Sequence, residues 1–98
     1  MKGRCLMKYN CIIFDSEKEF RKYLIQKSKS IKRLIIFEDN LDSMIFFYCF
    51  MNNKTIVASK EYSYKDFMIF KKDYIMLSNE LHLIISVVQH QMIEFRKI

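Results

Sequence analysis

The chain has 98 residues, a formal net charge of +6 and apolar side chains at 51% of its positions. This length favours one domain over two, and this apolar content excludes an intrinsically disordered chain. The charge is uneven, because residues 1–33 hold ten Lys and Arg against three Asp and Glu, whereas residues 34–98 hold seven against eight.

The first third of the chain predicts a strand, a helix and a second strand. Segment 7–14 is rich in β-forming residues and predicts the first strand. Ser16 followed by Glu19 fits a capping box, which predicts a helix over 17–27. The inner face of this helix carries Phe20, Tyr23 and Leu24. Segment 31–37 predicts the second strand, which we expect to be parallel to the first because one helix joins them.

The middle of the chain predicts a hairpin. Segment 44–51 is an unbroken apolar run, typical of a central strand covered on both faces. The turn at 52–54 contains two asparagines, which tolerate a positive φ better than most residues in a chain whose one glycine is Gly3. Segment 55–59 predicts the returning strand.

The last third predicts two helices. Ser63, followed by Asp66, predicts a helix cap, and apolar residues recur at helical spacing up to Leu77, although a hairpin also fits this segment. Segment 79–97 predicts a final helix with a broad apolar face. That face carries Leu81, Ile84, Ile85, Val88, Met92 and Phe95, with Leu83 and Val87 beside them.

The predicted fold is therefore of the α+β class. The element order β-α-β-β-β-α-α gives a small mixed sheet of about four strands with helices packed against it. We expect residues 1–98 to form a single domain and residues 1–6 to be a loose N-terminal tail.

Three carboxylates, those of Asp15, Glu38 and Asp39, fall at the ends of the two strands predicted to be parallel. Convergence at that edge of a sheet would suit Mg²⁺ and a metal-dependent nuclease. Acidic residues also favour turns and helix starts in their own right, and we predict that these three are structural. We expect no metal site, no cofactor and no catalytic residues.

The histidines and cysteines give no stronger indication of chemistry. His82 and His90 would lie about 12 Å apart on the predicted last helix, too far to share a metal ion. The cysteines are odd in number and form no C-x-x-C pair, which favours free, buried thiols in a reducing compartment. They are Cys5, Cys11 and Cys49. With no apolar leader before Lys8, we expect a soluble cytoplasmic protein.

The basic cluster is the candidate partner-binding site. Its residues are Lys18, Arg21, Lys22, Lys29, Lys32 and Arg33. Those of the first helix fall on the side opposite Phe20 and Leu24. An ordinary solvated helix face would show the same pattern, so the charge excess over the first third is what favours binding.

A second candidate surface lies on the predicted last helix. Its apolar arc is wider than one sheet can cover, and we predict that the chain forms a homodimer through it. The residues assigned to self-association are Leu83, Ile84, Val87 and Val88. Cover by the 63–77 helix within one monomer is the alternative.

Together these features indicate a small non-enzymatic binding protein. An inhibitor or regulator of the phage or mobile-element kind, docking its basic face on a larger acidic or nucleic-acid-handling protein, fits them best. The abundance of residues with A/T-rich codons suits such a source. Direct binding of DNA or RNA through the same residues is the alternative.

Overall fold

The computed structural model describes residues 10–39 and 44–89, which form an α+β fold. In chain order the elements of these ranges are β1 (Asn10–Phe14), α1 (Glu17–Gln26), β2 (Ile31–Asp39), β3 (Met44–Met51), β4 (Thr55–Ser59), β5 (Tyr62–Ser63), α2 (Tyr64–Glu80) and β6 (Ile85–Gln89). The predicted fold class, a small mixed sheet with helices packed against it, is confirmed. The described sheet has six strands rather than about four, and the expected tail at residues 1–6 lies outside these ranges.

The strands are joined in the order β1-β4-β3-β2-β6, and β5 pairs with the start of β3. β1 is parallel to β4, while β4 and β2 are both antiparallel to β3, and β6 is parallel to β2. β1 and β2 therefore run in the same direction, as the helical crossover predicted. They are not neighbours, because the β3–β4 hairpin is inserted between them.

Both helices begin at serine caps, as the sequence predicted. The Ser16 hydroxyl oxygen accepts a hydrogen bond from the Glu19 backbone N–H at 3.3 Å, and that of Ser63 accepts one from Asp66 at 3.1 Å. Each cap satisfies a backbone donor that has no partner inside its helix. Neither described helix is long and apolar enough to span a membrane.

The β3–β4 turn takes its positive φ at a different residue from the one expected. Lys54, not an asparagine, has a φ of 62°. Met51 and Thr55 flank a three-residue loop, and loops of this length commonly place their last residue in the left-handed region after a type I turn. The loop length, and not the residue type, decides the position.

The predicted final helix over 79–97 is wrong within the described residues. α2 continues to Glu80 and then ends in a Schellman motif, in which His82 takes the left-handed conformation with a φ of 54°. The Leu83 N–H donates to the Ser78 carbonyl at 2.8 Å, and the His82 N–H to that of Asn79 at 3.3 Å. The chain then forms β6, which pairs in parallel with β2.

The two faces of the sheet are covered differently. α1 and α2 both pack on one face, where Phe20, Leu24, Phe67 and Tyr74 meet β-strand residues such as Phe47 in one apolar cluster. The opposite face carries a second cluster, made by Cys11, Ile35, Phe37, Tyr48, Ile56 and Ala58. The outer sides of both helices therefore lie in one layer, on the same side of the sheet.

Burial changes the acidity of several core side chains. It raises the pKa of Cys49 to about 12, and burial together with the charge of Glu17 raises the pKa of Tyr62 to about 12. Burial likewise raises the pKa values of Tyr48 and Tyr74 above the ordinary value. The hydroxyls of Tyr62 and Tyr74 have no hydrogen-bond partner among the described residues. Ionising any of these groups in place would put a negative charge into the apolar core, which costs free energy.

Stability should therefore fall at alkaline pH. The folded state holds these protons more tightly than the unfolded chain, whose thiols ionise near pH 8.5 and whose tyrosines ionise near pH 10. The stabilisation is therefore complete below about pH 8 and is lost progressively as the pH rises toward about 12. We expect the free energy of unfolding, measured with urea, to be constant at about pH 7–8 and to decline between about pH 9 and 12. A flat profile through pH 11 would contradict this burial of the tyrosines.

Candidate interaction surface

The outer side of α1 presents lysines because its apolar residues fix which side faces the sheet. Phe20 and Leu24, four residues apart, are fully buried. Lys18 and Lys22 lie on the opposite side and are exposed. Neither lysine is in an ion pair in the described part of the chain. The structure thus brings these two predicted contact residues together, as the spacing of the helix indicated.

Arg21 differs from its basic neighbours. Its Nη1 atom lies 2.6 Å from Oδ2 of Asp73 on α2 and 3.3 Å from Oε1 of Glu17. The arginine side chain is only 29% exposed. It is therefore a link between the two helices, a role that the sequence could not indicate because Asp73 is 52 residues away.

The remaining predicted contact residues lie at the far end of α1 and beyond it. Lys29 is exposed in a 3-10 turn that follows the helix, and Lys32 is exposed at a β-bulge near the start of β2. Arg33 pairs with Phe50, whose side chain packs on the sheet face opposite the helices. Because cross-strand partners share a face, Arg33 does not join the lysines of α1.

α2 supplies basic residues that the sequence reasoning did not assign to the site. Lys65 and Lys72 are exposed on its outer side and form no ion pair among the residues described, while Lys71 lies 5.8 Å from the centre of the Phe67 ring. The helical spacing of Phe67 and Tyr74 already placed Lys65 and Lys72 outward. What the sequence did not show is that α2 packs beside α1.

The three candidate metal-binding carboxylates do not share a site. Asp15 follows β1, whereas Glu38 and Asp39 end β2. Three strand spacings separate β1 from β2, which is about 14 Å. Within residues 10–39 and 44–89 no group of three His, Cys, Asp or Glu side chains is arranged to hold a metal ion.

The cysteine and histidine predictions need correction. Cys49 is a free, buried thiol, as expected. Cys11 takes part in a disulfide bond, so the prediction that all three cysteines are free thiols is wrong. One reason for expecting a reducing compartment is thereby removed. His82 is exposed in the turn after α2 instead of lying on a helix, and His90 is outside the described residues.

The residues assigned to self-association lie around β6 and not on a helix face. Leu83 and Val88 are half-buried, each packed against one of the two apolar clusters. Ile84 and Val87 are largely exposed. Among the described strands β6 pairs with β2 alone, so these two exposed residues lie at an edge of the sheet as far as residues 10–39 and 44–89 define it.

Comparison with known proteins gives no family for this chain. No protein-family model matches the sequence, and neither a curated protein nor a solved structure matches it.

The ion pair between Arg21 and Asp73 should contribute modestly to stability. Both side chains are partly exposed, so we expect Asp73→Asn to lower the free energy of unfolding by about 0.5–1 kcal/mol at low salt. The difference should disappear near 1 M salt, where the screening length is about 3 Å. Glu80→Gln, which removes an exposed carboxylate of the same helix, is the control and should change the value by less than ~0.5 kcal/mol. Equal effects of the two substitutions at low salt would contradict the link.

Proposed function

We propose that this chain is a small binding protein without catalytic activity that docks a basic surface onto a larger acidic protein or nucleoprotein. The function we infer is that of an inhibitor or regulator of the kind encoded by phages and mobile elements, acting inside the cell. The observation that carries the proposal is a set of exposed lysines on the outer sides of both helices, none in an ion pair within the ranges described. These are Lys18, Lys22, Lys65 and Lys72.

The distribution of charge within the helices supports this proposal. The carboxylates of Glu17 and Glu19 lie in the first turn of α1, and that of Asp66 lies in the first turn of α2. Negative charge there stabilises a helix through its dipole. Lys18 and Lys65 lie in the same first turns, where a positive charge gives no such stabilisation, and Lys22 and Lys72 lie farther along. A cationic surface of this kind speeds encounter with an acidic partner.

Reversing the charge of the α1 lysines and of Lys29, in the turn that follows the helix, tests the proposal. We expect Lys18→Glu, Lys22→Glu and Lys29→Glu together to leave the fold intact, because exposed charges usually change stability by less than ~1 kcal/mol. Capture of the partner from nuclease-treated extract of the source cell should fall at least about tenfold. Arg21 is left unchanged because its ion pair holds the helices together.

A control variant separates local charge from net charge. Lys54→Glu with Lys60→Glu reverses two exposed lysines that lie outside both helices, and it should leave capture unchanged. If a folded α1 variant captured the partner as well as the wild type, the basic surface of α1 would not be the contact site.

Direct binding of nucleic acid is the alternative use of the same lysines. It predicts a gel shift of duplex DNA or RNA whose affinity falls steeply as salt is raised, because bound phosphates release counterions. A protein inhibitor predicts no such shift.

We also propose that the chain self-associates through β6. Ile84 and Val87 are large apolar side chains that remain mostly in water at the sheet edge. Pairing β6 with its copy about a two-fold axis would extend the sheet and cover both residues. Leu83 and Val88 are already half-buried within the monomer. They would hold β6 in place and would not touch the second copy.

Replacing the exposed pair tests self-association. We expect Ile84→Lys with Val87→Lys to convert a dimer into a monomer in sedimentation velocity, with the circular dichroism spectrum unchanged, since charged edge strands resist pairing. A wild-type chain that sediments as a monomer at high micromolar concentration would end this proposal.

A further inference from the structure

Three large apolar side chains remain in water on the outer sides of the helices. Ile25 on α1 is 57% exposed, and Ile69 and Met76 on α2 are 76% and 51% exposed. Ile69 and Met76 are seven residues apart, so they lie on one side of α2 two turns from each other. Side chains of this size that stay exposed as a group mark an interaction site more often than isolated ones do.

The direction of the helices places Ile25 beside Met76, with Ile69 two turns before Met76 on α2. α1 leads from the end of β1 to the start of β2. α2 leads from β5, which pairs with the start of β3 and is therefore level with the end of β2, to β6, which starts level with Leu34. Both helices therefore run antiparallel to β2 and in the same direction as each other. Arg21 contacts Asp73 at 2.6 Å. One turn further along, Ile25 on α1 comes level with Met76 on α2.

Lysines lie beside this apolar group, as do two exposed carboxylates of α2, those of Glu80 and of Asp73, which pairs with Arg21. On α2, Lys65 and Lys72 each precede one of the apolar residues by four positions, and on α1, Lys22 precedes Ile25 by three. Residues at these spacings are neighbours on a helix. We call the combination the α1–α2 surface. It consists of Ile25, Ile69 and Met76 with Lys18, Lys22, Lys65 and Lys72.

We propose that the α1–α2 surface binds an amphipathic helical segment of another protein, with apolar side chains along one face and acidic residues on both flanks. This inference rests on the proposed function and names its partner's chemistry. The apolar centre argues against nucleic acid, because a phosphate backbone offers nothing apolar to cover Ile69. The lysines argue against a second copy of this chain, because two such surfaces would repel each other.

The physical basis is the burial of apolar side chains between an amphipathic helix and this surface. Apolar residues at helical spacing on the partner would cover Ile25, Ile69 and Met76, and the flexible Met76 side chain can adapt to their shape. Carboxylates on the flanks would meet lysines that have no partner in the described ranges. The apolar contacts would supply most of the affinity, and the charges would supply orientation and speed of encounter.

A peptide selection tests the proposal on the full-length chain. The full-length chain is used to select from a displayed library of random peptides, each long enough for about three helical turns. At a salt concentration of ~0.15 M we expect enrichment of peptides with apolar residues at helical spacing and acidic flanks. Added to labelled protein, these peptides should shift the NMR methyl signals of Ile25, Ile69 and Met76. This measurement needs no variant and is independent of any folding defect.

Two variants of α2 form a matched pair. Ile69→Ser with Met76→Ser should weaken binding of the selected peptides at least about tenfold. Met68→Ser with Ile75→Ser also removes one isoleucine and one methionine seven residues apart, at 51% and 42% exposure, but from a side of α2 turned about 100° away. This second variant should bind as the wild type does.

The outcomes separate this inference from the proposed function. If Lys18→Glu with Lys22→Glu abolished peptide binding while Ile69→Ser with Met76→Ser did not, this inference would fail and the basic docking surface would stand. Three results would each overturn it. The first is a selection without enrichment, and the second is an equal loss of peptide binding in both α2 variants. The third is displacement of the peptides by duplex DNA that shifts the same methyl signals. The proposed function is tested by a different result. It would fail if the charge-reversed α1 variant captured the cellular partner as well as the wild type does.

Discussion

The fold depends on the burial of Phe47, the aromatic residue near the middle of β3. Its ring stacks on Tyr74 of α2 with centroids 4.4 Å apart and lies 6.1 Å from Phe20 of α1. Its backbone N–H donates to the buried hydroxyl oxygen of Ser59 at 3.0 Å, so the strand carries no unsatisfied donor there. One side chain thus holds both helices to the sheet, and aromatic contacts of this geometry add about 0.5–1.5 kcal/mol each beyond the area that they bury.

Because both helices pack around Phe47, their outer sides form a single layer. The lysines of α1 and those of α2 are separated by more than forty residues of sequence but lie on the same side of the sheet. The proposed binding surface is a consequence of this one-sided packing. Arg33, on the opposite sheet face, shows the converse, since proximity in sequence did not place it with the other basic residues.

The sequence predicted those elements whose signals are local. Ser16 and Ser63 marked helix starts correctly, and the unbroken apolar run of β3 marked a central strand. The end of α2 was missed because His82 occupies a position at which glycine is the usual signal. The residues after it were then misassigned, since Ile85, Val87 and Val88 suit an edge strand by their β-branching as well as they suit a helix by their spacing.

Only the part of the candidate site that lies on α1 could be predicted from the sequence, for a related reason. The exposed lysines of α1 follow from helical periodicity, whereas the neighbouring helix follows from strand order, which no local pattern encodes. Insertion of the β3–β4 hairpin between β1 and β2 decides where α1 lies. The same insertion separates Asp15 from Glu38, so the tertiary arrangement that joins two basic helices also keeps apart the carboxylates that a metal would need.

The ion pairs of Arg21 neutralise a positive charge within the proposed surface. A free guanidinium beside Ile25 and Met76 would have to lose its hydration when an apolar partner covered it, at a cost of several kcal/mol. Glu17 and Asp73 already pair with it, so its charge is locally neutralised. The four lysines of the surface, which form no ion pair among the described residues, are exposed and can stay hydrated at its rim. Protein interfaces commonly have this arrangement of an apolar centre and a charged rim, and here the contact that joins α1 to α2 also produces it.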